Sequence, residues 1–217
     1  IDMDTEEVVS CADQEGYISI ADGMSYLERA ELLVGHNVQG FDLPALYKLF
    51  GFEYEGEIHD TLIMSRLIWS DLKNNDFIYI KKPQGKDYPR NLIGSHSLKA
   101  WGYRIGENKI EYDGGWLDWS EDMQTYCVQD CRTNLKFYKF IMSKNPNPES
   151  VKLEHDFAHV IRKQEAHGFH FDEVKANELL AKLQRRQAEI GVQLQEAFEP
   201  WEIREPFTPK VNNKSRG

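Results

Sequence analysis

The spacing of apolar residues in the first hundred positions alternates between two patterns. Short segments at 7–11 and 32–35 are typical of strands, whereas 23–31 and 42–50 place apolar side chains at the three-to-four-residue spacing of amphipathic helices. Short strands that alternate with helices are typical of an α/β layer. The pattern therefore predicts an α/β fold for this part of the chain.

Capping residues ahead of apolar faces predict further helices. Asp60 and Ser120 stand at N-cap positions, before helices that we expect to end near residues 72 and 143. A shorter helix is predicted over 97–103. Segment 73–95 is rich in turn-forming and basic residues and predicts a loop. This basic loop is a candidate phosphate contact, although an ordinary solvated loop is an equally good interpretation.

The last third of the chain has a different composition. A run of Asn and Pro residues at 145–148 breaks the helical pattern, and two long helices are predicted beyond it, at 151–167 and 173–198. We therefore expect a first domain over 1–148 and a helical extension over 149–217.

Composition narrows the class of protein. Hydrophobic residues make up 41% of the 217 positions, and no apolar stretch is long enough for a membrane span, which is against both disorder and membrane insertion. The net charge of −10 is against a simple nucleic-acid coat, because such surfaces are strongly basic. An acidic enzyme can still bind DNA if its carboxylates hold metal ions. Three cysteines are too few for a disulfide framework and favour a reducing compartment.

Neither the cysteines nor the histidines show the spacing of a zinc site. Cys127 and Cys131 are interpreted as small buried side chains. Five histidines are interpreted as structural or solvated: His96, His155, His159, His167 and His170.

Three residues carry the candidate chemistry. Asp42 follows a predicted strand, so it is expected at the carboxyl end of a sheet, where open α/β sheets bind their ligands. Tyr126 and Asp130 are four residues apart and share a helix face, so a phenol and a carboxylate can converge. Such groups suit a hydrolytic metal site. The spacing alone leaves open that Asp42 only caps a helix and that the Tyr–Asp pair arises by chance.

Several ordered segments resemble known motifs. Residues 34–46, VGHNVQGFDLPAL, resemble the second exonuclease motif of the DEDD 3′-5′ exonucleases, and residues 126–130, YCVQD, resemble their third motif in its tyrosine-containing form. Residues 59–67 and 94–106 are similar to the proofreading domain of family A DNA polymerases from T-seven-like bacteriophages. Residues 163–172 resemble the beginning of the polymerase region of those enzymes.

The resemblance implies a ribonuclease H-like α/β fold, with a mixed sheet flanked by helices. It also implies a two-metal hydrolysis that removes the 3′-terminal nucleotide of DNA, with two Mg²⁺ or Mn²⁺ ions as cofactors. In that scheme Asp42 and Asp130 are metal ligands, and Tyr126 orients the attacking water. Asn37 and Phe41 are expected to shape the pocket for the terminal nucleotide, with turn hydrogen bonding and core packing as equally good alternatives.

The first motif of the family, an Asp-x-Glu pair on the opening strand, has no satisfactory match. Asp2 and Asp4 are the obvious candidates, but only 40 positions (42 − 2) separate Asp2 from Asp42. That interval is too short for the β-hairpin that the family places between its first two motifs. We therefore expect the first strand and its acidic pair to precede Ile1.

The resemblance further implies partners and a location. The expected partners are the single-stranded 3′ end of DNA, the remainder of the polymerase chain and a thioredoxin-like processivity factor bound outside this segment. The expected location is the cytoplasm of an infected bacterium. Two other functions stay open: a catalytically incomplete DNA-binding or assembly module, and an RNase D-like ribonuclease.

Overall fold

A computed structural model describes residues 1–107, 112, 114–115 and 117–198 of the protein. The chain divides into two compact units, Ile1–His167 and Gly168–Gly217. Among the described residues, every helix is too short or too polar to cross a membrane.

Two parallel strands, β1 (Leu32–Gly35) and β2 (Glu57–Asp60), form the sheet within the described ranges. Leu32 pairs with Glu57 and Gly35 with Asp60, so both strands end at the same edge. The connection between them is α2 (Asp42–Phe50). Helix α2 ends at Gly51, whose left-handed φ of 69° lets its N–H reach the carbonyls of the preceding turn.

Among its described residues, the first unit also contains α1 (Ile20–Glu28) and five further helices. They are α3 (Thr61–Ile68), α4 (Leu72–Tyr79), α5 (Leu98–Ile105), α6 (Glu121–Met142) and α7 (Pro148–His167). The core lies where α3, α5, α6 and α7 meet, and Met64, Trp101, Phe137 and Ile141 are buried there. The rings of Trp101 and Phe137 stack with centroids 4.3 Å apart. This apolar cluster holds α6 against the sheet and α3.

The α/β class is confirmed, and several predicted elements have the expected bounds. The strand at 32–35, the helix at 42–50 and the helix after Ser120 all form. Ser120 Oγ accepts a hydrogen bond from the N–H of Met123 at 3.1 Å, as an N-cap does. The larger mixed sheet stays a prediction.

Two predicted elements are wrong. Segment 7–11 is not a strand: within the described residues Cys11 makes a single bridge to Ile18, and no ladder of backbone hydrogen bonds forms along the segment. Segment 73–95 is not a simple loop, because it contains most of α4 and two short 3-10 turns at Pro83–Gly85 and Arg90–Leu92. Its buried anchor is Asp76, which receives two hydrogen bonds from Arg104. Tertiary pairing of this kind leaves no trace in local composition.

The second unit contains α8 (Glu173–Ala197) among its described residues. Asp172 caps this helix by accepting a hydrogen bond from the N–H of Lys175 at 3.0 Å. Helix α7 lies beyond the boundary predicted at residue 148, yet it packs on α3 and β2 within the first unit. The division into 1–148 and 149–217 stays a prediction.

Candidate active site

The loop between β1 and α2 lies at the edge where both strands end. Asn37 adopts a left-handed φ of 62°, a conformation that Asn tolerates better than most residues. Its carbonyl accepts hydrogen bonds from the N–H groups of Gly40 at 3.0 Å and Phe41 at 2.9 Å. The tight turn ends directly at Asp42, the first residue of α2. Asp42 therefore stands at the carboxyl edge of the sheet, as the sequence predicts.

Asp60 fixes this loop from the end of the neighbouring strand. Its carboxylate is 1% exposed and accepts hydrogen bonds from the N–H of Asn37 at 2.8 Å and of Gln39 at 3.2 Å. The same carboxylate accepts the N–H of Leu62 at 2.9 Å, which confirms Asp60 as the N-cap of α3. One buried side chain thus starts α3 and positions the loop that leads to Asp42.

Thr61 connects the edge to helix α6. Its hydroxyl oxygen lies 2.7 Å from Asn134 Oδ1, 2.9 Å from His36 Nδ1 and 3.2 Å from the Gly35 carbonyl oxygen. Thr61 is fully buried and Asn134 is buried, so water does not compete for these groups. The contact sets the position of α6, the helix that carries Tyr126 and Asp130.

His155 of α7 supports the same edge. Its Nε2 accepts the N–H of Asp60 at 2.7 Å, and its Nδ1 lies 2.7 Å from the carbonyl oxygen of Val151. These bonds require the neutral tautomer that carries its proton on Nδ1. His155 is buried, so its interpretation as a structural histidine is confirmed.

Asp42 has an unfavourable environment for a negative charge. Neighbouring protein atoms displace water from its carboxyl group and so raise the pKa of that group above 3.8. The negative charge of Asp60 acts in the same direction. A hydrogen bond from its own backbone N–H offsets part of the rise. The residue nevertheless keeps an exposed surface. A cation beside this carboxylate would favour its ionised form.

Tyr126 and Asp130 lie on α6 four residues apart, so they share the predicted helix face. The Tyr126 ring is 5.8 Å from that of Tyr112, and both border a cavity of about 800 Å³. Asp130 is half-buried.

The thiol of Cys131 relates Asp130 to Asp42. Loss of hydration raises the pKa of the thiol and the N-terminal positive charge opposes the rise, while Cys127 and then the negative charges of Asp130 and Asp42 add to it. Both carboxylates therefore lie within electrostatic range of one side chain, although they come from different helices. The prediction that Cys127 and Cys131 are small buried side chains is wrong, because both residues are exposed.

The donor chemistry at this edge fits a magnesium ion in part. Carboxylate oxygens are the ligands that Mg²⁺ prefers, and Asp42 and Asp130 supply two such groups. Within the described ranges, no three His, Cys, Asp or Glu side chains come together as a ready metal cluster. Asp2 is engaged elsewhere: its Oδ1 accepts hydrogen bonds from the N–H and hydroxyl of Thr5, which lower the pKa of its carboxyl group.

Asn37 and Phe41 have different surroundings. Phe41 is 68% exposed beside Asp42, so it is not a core residue. The main chain of Asn37 makes the turn hydrogen bonds, while its Oδ1 lies 3.4 Å from the Nη2 atom of Arg162 on α7.

Sequence reasoning missed the residues that position the site. Asp60 was predicted as a cap, but its bonds to the loop join positions more than twenty residues apart. Asn134 and Arg162 lie outside every segment of the resemblance, and Thr61 lies within one of them, 59–67, but is given no role there. Hydrogen-bond partners distant in sequence are specified by packing, and the spacing of apolar residues carries no signal for them.

Comparison with known proteins identifies two relatives. The chain is 35% identical over 216 aligned residues to the DNA-directed DNA polymerase of Escherichia phage T7, and 34% identical over 218 to that of Enterobacteria phage T3. The alignments cover 80% and 81% of this chain but 30% of each relative. The chain thus spans less than a third of the length of these polymerases. No protein-family model matches the chain.

Proposed function

We propose that this chain, which is related to the DNA polymerases of T-seven-like bacteriophages, is the 3′-5′ exonuclease portion of a phage replicative DNA polymerase. In this proposal residues 1–148 have a ribonuclease H-like fold, and residues 149–217 begin the polymerase region. The substrate is the single-stranded 3′ end of DNA, and the remainder of the polymerase is the partner. A thioredoxin-like processivity factor would bind outside this segment, and the enzyme would work in the cytoplasm of the infected bacterium.

One observation supports the proposal: the loop held by Asp60 ends at Asp42 on the carboxyl edge of the sheet, and α6, which carries Tyr126 and Asp130, is bonded to the same edge through Asn134 and Thr61. The two carboxylates come from segments about ninety positions apart, and a buried hydrogen-bond network supports both elements at the carboxyl edge of the sheet. The elements that carry the two motifs thus meet through buried contacts at one edge of the sheet.

Each residue has a distinct role in the proposed reaction. Two Mg²⁺ or Mn²⁺ ions, held in part by Asp42 and Asp130, would supply an activated water and neutralise charge on the scissile phosphate. Tyr126 would orient that water by a hydrogen bond from its phenol. Phe41 would stack on the terminal base, since its exposed ring stands next to Asp42. Asp60 would hold the loop from Asn37 to Asp42 in a fixed position during turnover.

The decisive experiment uses the natural polypeptide that contains this sequence. Asp42→Ala and Asp130→Ala are expected to reduce Mg²⁺-dependent trimming of a labelled single-stranded 3′ end by on the order of 100-fold or more, because each removes a metal ligand. The loss should appear in kcat rather than in DNA binding alone. Asp156→Ala is a suitable control, since this exposed residue pairs with Lys152 on its own helix. Full trimming activity in both site variants would disprove the proposal.

A binding or assembly module is the second candidate. It is favoured by the finding that, among the described residues, no three His, Cys, Asp or Glu side chains form a group that could hold a metal ion. The same experiment separates the two functions, because a module would bind single-stranded DNA without trimming it in the unmutated polypeptide. Parallel assays with RNA measure any RNase D-like preference.

A further inference from the structure

Arg162 reaches the motif loop from helix α7. Its Nη2 lies 3.4 Å from Asn37 Oδ1. A Cβ atom placed on Gly40 would stand 2.5 Å from Nη2 and 2.8 Å from Cζ of the guanidinium, which is closer than carbon atoms approach in proteins. The guanidinium therefore packs over Gly40, and the absence of a side chain there creates the space. Helix α7 in this way contributes a positive charge to a loop that begins more than a hundred residues earlier.

These contacts leave much of the guanidinium able to bind a ligand. A guanidinium carries five N–H donors, and the structure gives this one two hydrogen-bond partners within the described residues: Asn37, and Glu165 Oε2 at 2.7 Å. The side chain is 41% exposed. Glu165 lies three residues along the same helix and is itself exposed, so this ion pair is a weak competitor for a phosphate.

The negative charge around the motif loop favours a positively charged side chain at this position. Asp42, Asp60 and Asp130 make the edge negative, and a nucleic-acid backbone is negative as well. A guanidinium beside the loop reduces that repulsion and matches the geometry of phosphate oxygens with its planar fork. Arg162 also adjoins Asn37, which stands four residues before the exposed ring of Phe41.

We infer that Arg162 binds a backbone phosphate of the nucleic-acid strand whose terminal base lies against Phe41. This inference rests on the proposed function, because it takes the motif loop as the place where the strand end binds. It adds a substrate-binding residue from α7, a helix beyond the predicted boundary of the exonuclease region.

The test measures binding of the natural polypeptide to a single-stranded oligonucleotide over a series of salt concentrations, with Ca²⁺ in place of Mg²⁺ to prevent trimming. Arg162→Gln should weaken binding about tenfold at low salt. It should also reduce the slope of log K against log salt by about 0.7, the value for one single-strand phosphate contact. Arg162→Lys should keep the slope and recover part of the affinity, since it retains the charge without the fork. In trimming assays Arg162→Gln should raise KM and leave kcat within about twofold.

Two other variants sharpen the test. Glu165→Gln removes the competing carboxylate, so it should tighten binding by about twofold. Lys152→Gln removes the same charge from the same helix at a residue paired with Asp156, and it should change neither affinity nor slope.

The inference is overturned if Arg162→Gln, with an unchanged melting temperature, leaves affinity and salt slope as they were. It is also overturned if the variant lowers kcat and the melting temperature at an unchanged slope, since Arg162 would then be a purely structural clamp. If Arg162→Gln does not fold, unchanged affinity in Glu165→Gln overturns it. Loss of trimming in Asp42→Ala and Asp130→Ala is independent of all these results, so failure of this inference leaves the proposed function intact.

Discussion

Two buried aspartates of the first unit are compensated in opposite ways. Asp60 and Asp76 are each 1% exposed. Asp60 accepts three backbone N–H groups, from Asn37, Gln39 and Leu62, and these bonds bring no full positive charge. Asp76 receives two hydrogen bonds from the guanidinium of Arg104, at 2.9 and 2.7 Å, together with the N–H of Gly94 at 2.8 Å.

The difference shows that one protein can place the same type of buried side chain, an aspartate, in two opposite electrostatic settings. The cation beside Asp76 neutralises it locally, so α4, α5 and the turn at Gly94 are joined without a residual charge. Among the described residues, Asp60 has no such cation bonded to it, and its charge raises the pKa of Asp42. The edge at Asp60 is therefore suited to attract a cation, whereas the region around Asp76 is already neutral.

The largest expected effect follows from breaking the Asp76 pair. Asp76→Ala leaves the buried guanidinium of Arg104 without its partner, so we expect the free energy of unfolding to fall by about 3–5 kcal/mol. Chemical denaturation measures this loss. Asp71→Ala, at an exposed residue ahead of the same helix, should change stability by less than about 0.5 kcal/mol. Below its melting temperature, Asp76→Ala should retain normal trimming. A selective loss of kcat there would contradict the assignment of Asp76 to stability alone.

A smaller loss of stability with a larger loss of activity is expected at Asp60. Asp60→Ala removes the acceptor for three backbone N–H groups, at a cost of about 2–3 kcal/mol, because loop amides near the surface can regain water. Since Asp60 positions the loop that ends at Asp42, trimming by the folded variant should fall about 10–100-fold. Denaturation and single-turnover trimming at one temperature measure both quantities. Equal kcat values for Asp60→Ala and the unmutated protein would show that Asp60, like Asp76, contributes to stability alone.

The smallest expected effect is a pH dependence near the Asp76 pair. Burial lowers the pKa of His96 below 6.5, and the positive charges of Arg66 and Arg104 add to this effect, while Asp76 opposes it. In this range the unfolded state binds more protons than the folded state, so stability should decrease as the pH falls through about 6.5. The ring is partly solvated, so the change should be about 0.5 kcal/mol or less.

Urea denaturation between about pH 7 and pH 5.5 measures this change. His96→Gln should flatten the curve, and His170→Gln, at an exposed position, should leave it as it is. A steeper decrease in His96→Gln would mean that the folded state binds the proton more tightly than the unfolded state, the opposite of the expected sign. His59 should add a similar contribution, because burial lowers its pKa as well.

Local patterns predicted those elements whose signals are themselves local. Strand β1 and helix α2 have the predicted bounds, because an apolar tetrad and a helical repeat are each complete within one segment. Asp60 and Ser120 were predicted as caps, because an N-cap bonds to its own helix. Segment 7–11 has strand-like residues but lacks a partner strand over its length among the described residues, and strand formation requires one. Segment 73–95 was predicted to be a loop because Arg104, the partner of its buried anchor Asp76, lies outside the segment.

By itself, then, the sequence determined strand β1, helix α2, the N-caps Asp60 and Ser120, the acidic character of the chain and the positions of Asp42, Tyr126 and Asp130 within their motifs. Only the tertiary structure decided which side chains support that site. Asp60, Thr61, Asn134, His155 and Arg162 act across intervals of about 20 to 125 residues. Such contacts depend on how helices pack around the sheet, and the packing is a property of the whole fold.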